Sequence, residues 1–91
     1  MIVRWTSRAS LDLRRLHDFL ADKSPAAAKR VAQTLGRAPD RLIDFPRMGM
    51  RLESFPDGEV RRLIVGDYEI RYEVLGDTVW ILQLWHCRED R

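Results

Sequence analysis

The spacing of apolar positions changes period once along the chain and divides it into a helical half and a stranded half. Ala9, Leu13, Leu16 and Leu20 recur at spacings of four, three and four, which is one face of an α-helix. Thr6 and Ser7 stand before this run as natural N-cap residues, and Asp12 sits early, toward the positive end of the helix dipole. Ser24-Pro25 is the next start signal, a capping hydroxyl followed by a proline whose missing N–H costs nothing in the first turn. Ala28, Val31, Leu35, Ala38 and Leu42 continue the same seam. The joint between the two helices is a few residues long, so they are expected to pack as an antiparallel hairpin. Gly36 and Pro39 interrupt the second seam, and an internal proline costs about 3 kcal/mol. Because the apolar phase survives Pro39, the pattern predicts a kinked helix; extended backbone over 36–39 would contradict it.

Pro46, Gly49, Pro56 and Gly58 make 45–59 a loop. The period then becomes two. Strands are predicted over 60–65, 68–75 and 78–86, joined by Gly66-Asp67 and Gly76-Asp77. Glycine first in a two-residue connection is the signature of a type II′ hairpin. Ile2 to Trp5 is strand-like but short, which suits a sheet edge. The predicted class is α+β: a short N-terminal strand and an antiparallel helical hairpin packed on a mainly antiparallel sheet of three to four strands, in the order β-α-α-β-β-β.

Two-residue turns set the pairing register. Val65 should face Tyr68, Leu63 should face Ile70 and Arg61 should face Tyr72 across the first hairpin. Across the second, Val74 should face Val79, Tyr72 should face Ile81 and Tyr68 should face Trp85. This nearly all-apolar face is expected to cover the helices, with Trp5 and Trp85 in packing roles. The opposite face would carry Val60, Arg62, Ile64, Glu69, Arg71, Glu73, Leu75, Trp80, Leu82, Leu84 and His86. A water-facing surface this apolar suggests a partner. The register also sets Arg62 opposite Arg71, which is destabilising unless something compensates. Glu69 and Glu73 could supply that compensation; the functional reading is an arginine pair awaiting a partner's carboxylate or phosphate.

Composition narrows the classes. The 91 residues, 45% of them hydrophobic, allow one domain spanning 1–91. Sixteen basic against fourteen acidic residues give a net charge of +2, which argues against a polybasic nucleic-acid arm or an acidic tail. Fourteen of the sixteen cations are arginine, the side chain that grips carboxylate or phosphate with two hydrogen bonds; an arginine-rich genome explains the bias equally well. One cysteine, Cys87, leaves no intrachain disulfide and no multi-cysteine zinc site. No apolar run approaches the roughly 20 residues of a membrane helix, and no signal-like segment opens the chain. A soluble, cytoplasmic protein without membrane attachment is expected.

His86 and Cys87 are a candidate base and nucleophile. Neighbours on a strand point to opposite faces, however, so they do not form a catalytic pair. With His17 as the second histidine, on the first helix, no metal site is expected. Arg61, Arg62, Arg71 and Arg88, with Tyr68, Tyr72 and His86 nearby, make metal-free ribonuclease chemistry conceivable. Interleaved acids (Glu59, Asp67, Glu69, Glu73, Glu89 and Asp90) would repel RNA.

Several segments taken together resemble a known family. Pro25-Ala26-Ala27-Ala28 opens the second helix and Phe45-Pro46-Arg47-Met48-Gly49 leaves it. Val60-Arg61-Arg62-Leu63, Tyr68-Glu69-Ile70-Arg71-Tyr72-Glu73 and Trp85-His86-Cys87-Arg88 follow in order. This combination, spanning nearly the whole chain, resembles the RelE/ParE toxin superfamily, and its ending is most similar to the ParE branch. The resemblance implies the toxin of a type II toxin–antitoxin pair, neutralised by a ParD-like antitoxin and acting on DNA gyrase. It further implies no catalytic residues, no cofactor, and contact with nucleic acid only through antitoxin or target. The alternative it carries is a ribosome-dependent mRNA endonuclease of RelE type. Such relatives often place Arg directly after the first aromatic of the central strand, where this chain has Glu69, and no Tyr follows the last strand here. Arg61 and His86 stand near positions where those ribonucleases keep useful groups. The residues proposed to contact antitoxin or target are Arg61, Arg62, Arg71, Trp80, Leu82, Leu84, His86 and Arg88.

Overall fold

The computed structural model describes residues 1–89, so Asp90 lies outside the described residues. Its elements are β1 (Ile2–Trp5), α1 (Ser7–Ala21), α2 (Pro25–Arg37), a 3-10 turn (Ala38–Leu42), β2 (Met50–Arg51), β3 (Val60–Val65), β4 (Tyr68–Leu75) and β5 (Thr78–His86). The α+β class and the order of elements are those expected. The sheet has five strands, in the order β1-β5-β4-β3-β2. The additional strand is β2, two residues of the long loop that pair Met50 with Arg62 and Arg51 with Arg61. β1 takes an edge, as its length suggested, and runs parallel to β5.

Both helix starts carry the caps read from the sequence. The Thr6 hydroxyl accepts the Ala9 N–H at 3.0 Å, and the Ser24 hydroxyl accepts the Ala27 N–H at 3.2 Å with Pro25 in the first turn. The chain passes Pro39 without becoming extended. Ala38 keeps helical angles (φ −53°, ψ −40°) and the path tightens into the 3-10 turn. A proline cannot donate to the carbonyl four residues back and crowds it, so the tighter winding absorbs the kink. Leu35 and Leu42, on either side, are both fully buried.

The first hairpin has the expected register along its whole length: Val65 with Tyr68, Leu63 with Ile70, Arg62 with Arg71 and Arg61 with Tyr72. Gly66 and Gly76 both have φ of +58° while no other residue among those described has positive φ, which is the II′ pattern. The second hairpin is as expected from Leu75 with Thr78 to Tyr72 with Ile81, and then slips by one residue. Beyond the slip Arg71 faces Gln83, Ile70 faces Leu84, Glu69 faces Trp85 and Tyr68 faces His86. Leu82 is the extra residue of a β-bulge.

This corrects three expectations. Tyr68 faces His86, not Trp85. Leu84 belongs to the helix-facing side, where it is fully buried with Ile70, Ile81 and Leu16, and His86 moves to that side with it. Trp85 goes to the opposite face, where it is nonetheless buried.

The cause lies in α1. A bulge leaves backbone groups that the ladder does not pair, and buried groups of that kind need partners. The Thr6 N–H donates to the Ile81 carbonyl at 3.0 Å and the Thr6 hydroxyl to the Leu82 carbonyl at 3.1 Å. The Leu84 N–H donates to Asp12 Oδ2 at 3.0 Å. Asp12 is therefore not a dipole residue of the first helical turn but a buried clamp from helix to strand, held in turn by Arg8 Nε at 3.3 Å.

Candidate functional site

The eight residues proposed from the sequence fall in four places. Arg62, Arg71, Trp80 and Leu82 lie on the outward sheet face. Arg61 lies at the end of the helix-facing side, His86 and Arg88 border a cleft, and Leu84 is in the core.

On the outward face the opposed arginines are compensated within the chain. Glu69, 2% exposed, has Oε1 at 3.8 Å from Arg62 and Oε2 at 3.6 Å from Arg71. Glu73, the other carboxylate expected to help, stands further along β4 between Val60 and Trp80. The Arg71 guanidinium lies 4.7 Å from the Trp85 ring and 5.7 Å from the ring of Phe55, which leans in from the 52–59 loop. Such stacking favours a cation over the aromatic faces, while the buried Arg71 Nε has no hydrogen-bond acceptor among the described residues. The middle of this face is thus covered by the chain itself. Trp80, Leu82 and Arg62 are half-buried around it, and Ile64 and Leu75 are about half exposed at 50% and 51%.

Arg61 is tied to backbone and carboxylate rather than presented to a partner. Its Nε donates to Glu59 at 2.9 Å and its guanidinium to the carbonyls of Gly49 at 2.8 Å and Arg47 at 3.3 Å. Glu59 also holds Arg47 at 2.8 Å. Desolvation alone would raise the Glu59 carboxyl, but hydrogen bonds from Arg61 and Arg47 outweigh it and hold it below the ordinary range.

A cleft of about 570 Å³ opens between α1 and the end of β5, lined by Arg15, Leu16, Phe19, Leu20, Tyr68, His86, Arg88 and Glu89. Arg15 closes one side by donating to Glu89 at 2.9 Å. The Glu89 carboxyl, raised by desolvation, is brought below its ordinary range chiefly by the Arg15 hydrogen bond. The Arg88 N–H donates to His86 Nδ1 at 3.1 Å, which puts the proton of the neutral ring on Nε2. The His86 ring meets Tyr68 edge to face with centroids 5.1 Å apart. Burial, with the charges of Asp67 and Glu89, pushes the Tyr68 hydroxyl up, so it stays protonated. Cys87 is exposed on the turn beyond the strand. Among the described residues no three His, Cys, Asp or Glu side chains converge as metal ligands.

Residues 3–91 match the family model described as "ParE toxin of type II toxin-antitoxin system, parDE". The chain belongs to the ParE toxin family. Among its curated relatives is "Toxin RelE2" of Caulobacter vibrioides, 38% identical over 85 residues and covering 93% of each chain. "Toxin RelE1" of the same organism is 34% identical over 90 residues, covering 92% of this chain and 90% of that one. A solved structure titled "Chromosomal ParDE TA system from P. aeruginosa" has the same fold, with a TM-score of 0.80 over 94% of this chain and 95% of that one at 24% identity.

Sequence reasoning missed two structural roles in this ParE-family toxin. Asp12 reads as an ordinary helix acid, and its position two turns before the apolar end of α1 gives no sign of a strand partner. Tyr72 reads as one more core aromatic. Its hydroxyl donates to the Pro46 carbonyl at 2.8 Å and accepts the Gly49 N–H at 2.9 Å. The signal was Gly49 in Phe45-Pro46-Arg47-Met48-Gly49: a Cβ there would stand 2.6 Å from the Arg62 carbonyl and 2.7 Å from the Tyr72 hydroxyl, so the close approach demands glycine.

Proposed function

We propose that this type II toxin arrests growth by binding DNA gyrase, that it does so without catalysing a reaction, and that a ParD-like antitoxin encoded beside it holds it inactive in the cytoplasm. The observation that carries the non-enzymatic reading is the fate of the arginines. A phosphoryl-transfer site needs cations aimed at where charge develops. Here Arg61 is engaged by Glu59, Arg15 by Glu89, and both Arg62 and Arg71 by Glu69. Each pair brings a carboxylate that would repel a phosphate backbone. Gyrase as the target rests on the resemblance of the chain's ending to the ParE branch. Among the described residues no helix is long and apolar enough to cross a membrane. For the antitoxin, the outward face offers the half-buried Trp80 and Leu82 to apolar side chains.

A second reading, ribosome-dependent mRNA cleavage, is favoured by one observation: His86, Tyr68 and Arg88 border a single cleft, with the His86 Nε2 proton available. Purified toxin added to a gyrase supercoiling assay, beside ribosomes translating a defined message, separates the two. The proposal expects lost supercoiling and an intact message. A cut message with normal supercoiling would replace it with the second reading.

A further inference from the structure

Four exposed apolar side chains follow the 3-10 turn in close succession, Ile43 at 43%, Phe45 at 65%, Met48 at 44% and Met50 at 55% exposure, and Phe45 and Met48 line one shallow depression with Pro46 and Arg47. The first three belong to a connecting segment that would be free to fold them inward. Instead the segment is held with them outward. The buried Tyr72 hydroxyl bonds Pro46 and Gly49, and Arg61, itself fixed by Glu59, bonds the carbonyls of Arg47 and Gly49. Ordering a loop costs conformational entropy, and contact of its apolar side chains with water adds to that cost. A patch prepared in this way lowers the ordering cost of binding.

Charge and position say what covers it. Within 40–51 three arginines (Arg41, Arg47, Arg51) outnumber two carboxylates (Asp40, Asp44), so the segment carries a positive surplus. β2 ends the sheet, so its outer edge can accept an extended backbone. Met50 pairs across from Arg62, which makes the patch continuous with the outward sheet face.

We propose that residues 43–51, positioned by the Tyr72 hydroxyl, anchor an extended, acidic and apolar segment of the antitoxin, with Phe45 and Met48 as its main contacts. This rests on the reading of the chain as antitoxin-held.

The test is calorimetric titration of full-length toxin with the purified antitoxin encoded beside it. Phe45→Glu with Met48→Glu alters exposed side chains, so the fold persists, checked by an unchanged thermal melt, while affinity falls about 100-fold or more. Tyr72→Phe weakens binding about tenfold, and that loss disappears in a Phe45→Ala, Met48→Ala background, because Tyr72 acts through those side chains. A Tyr72→Phe loss that persists undiminished in that background overturns the positioning role. If the double glutamate variant binds as tightly as wild type, the docking surface is wrong while the antitoxin reading stands. If wild type itself does not bind the antitoxin, that reading falls and the inference with it. If the double variant binds antitoxin normally but no longer arrests growth, the patch belongs to the target and the inference is overturned.

Discussion

The two hairpins begin alike and end differently. Each turns on Gly-Asp with the glycine at φ +58°, and each starts with the register its turn dictates. The β3–β4 ladder keeps that register to its end, whereas β4–β5 gains a residue at Leu82 and moves every later side chain to the other face. The difference is what lies across from the strand. The distal part of β3 meets the β2 edge, which follows its register. β5 runs beneath the start of α1, where Thr6 and Asp12 offer side-chain hydrogen bonds to Leu82 and Leu84. A turn sets pairing as far as the next tertiary hydrogen bond that competes with it.

The largest effect should come from removing that competitor. Asp12→Ala leaves the Leu84 N–H buried without its acceptor and should cost about 3 kcal/mol of unfolding free energy in a urea titration. Amide exchange should then quicken at Leu84 and Trp85 while Leu63, on β3, stays protected. Equal loss of protection in both hairpins would erase the distinction between them.

The turns themselves should prove equivalent. A Cβ at Gly66 or Gly76 meets no atom within 4 Å, so alanine there suffers only from the left-handed backbone. Each substitution should cost about 1–2 kcal/mol, and a marked inequality would mean that one turn is under tertiary strain. Thr6→Ala removes both the cap on Ala9 and the bond to Leu82, and should cost about 1 kcal/mol, with the exchange effect confined to β5.

The smallest effect is with pH, and it touches both hairpins through their flanking carboxylates. Glu59, just before β3, and Glu89, just after β5, lie below the ordinary value of 4.5. A group whose folded value is depressed stabilises the fold above its unfolded value and loses that contribution as pH falls through the folded one. Stability should therefore hold from neutral pH to about 4.5 and decline below it. Glu59→Gln and Glu89→Gln should each make that acid decline shallower in melts recorded against pH.

The same comparison explains what was legible in the sequence. Helix caps, the seam across Pro39, the two glycine turns and the Arg62–Arg71 opposition are set by residues near one another or by strict alternation, so pattern carried them. The bulge depends on Asp12 meeting Leu84 across 72 residues, and no local period records that. The misplacement of Leu84, His86 and Trp85 followed from it. The candidate site was legible in part: Glu69 was named as compensation for the arginine pair, but its burial between them, and the Phe55 ring over Arg71, need the 52–59 loop in place. Tyr72 was assigned to the core correctly, while the role of its hydroxyl depends on a loop that has no periodicity.

The central claim is that this toxin acts by occupying a protein target, Arg15, Arg61, Arg62 and Arg71 being engaged by its own carboxylates. It is tested most directly by titrating purified toxin into gyrase and following supercoiling over time. The account predicts inhibition that saturates at a fixed molar ratio of toxin to gyrase and does not deepen with incubation. Inhibition that advances with time at a small fraction of that ratio would reveal turnover and contradict it.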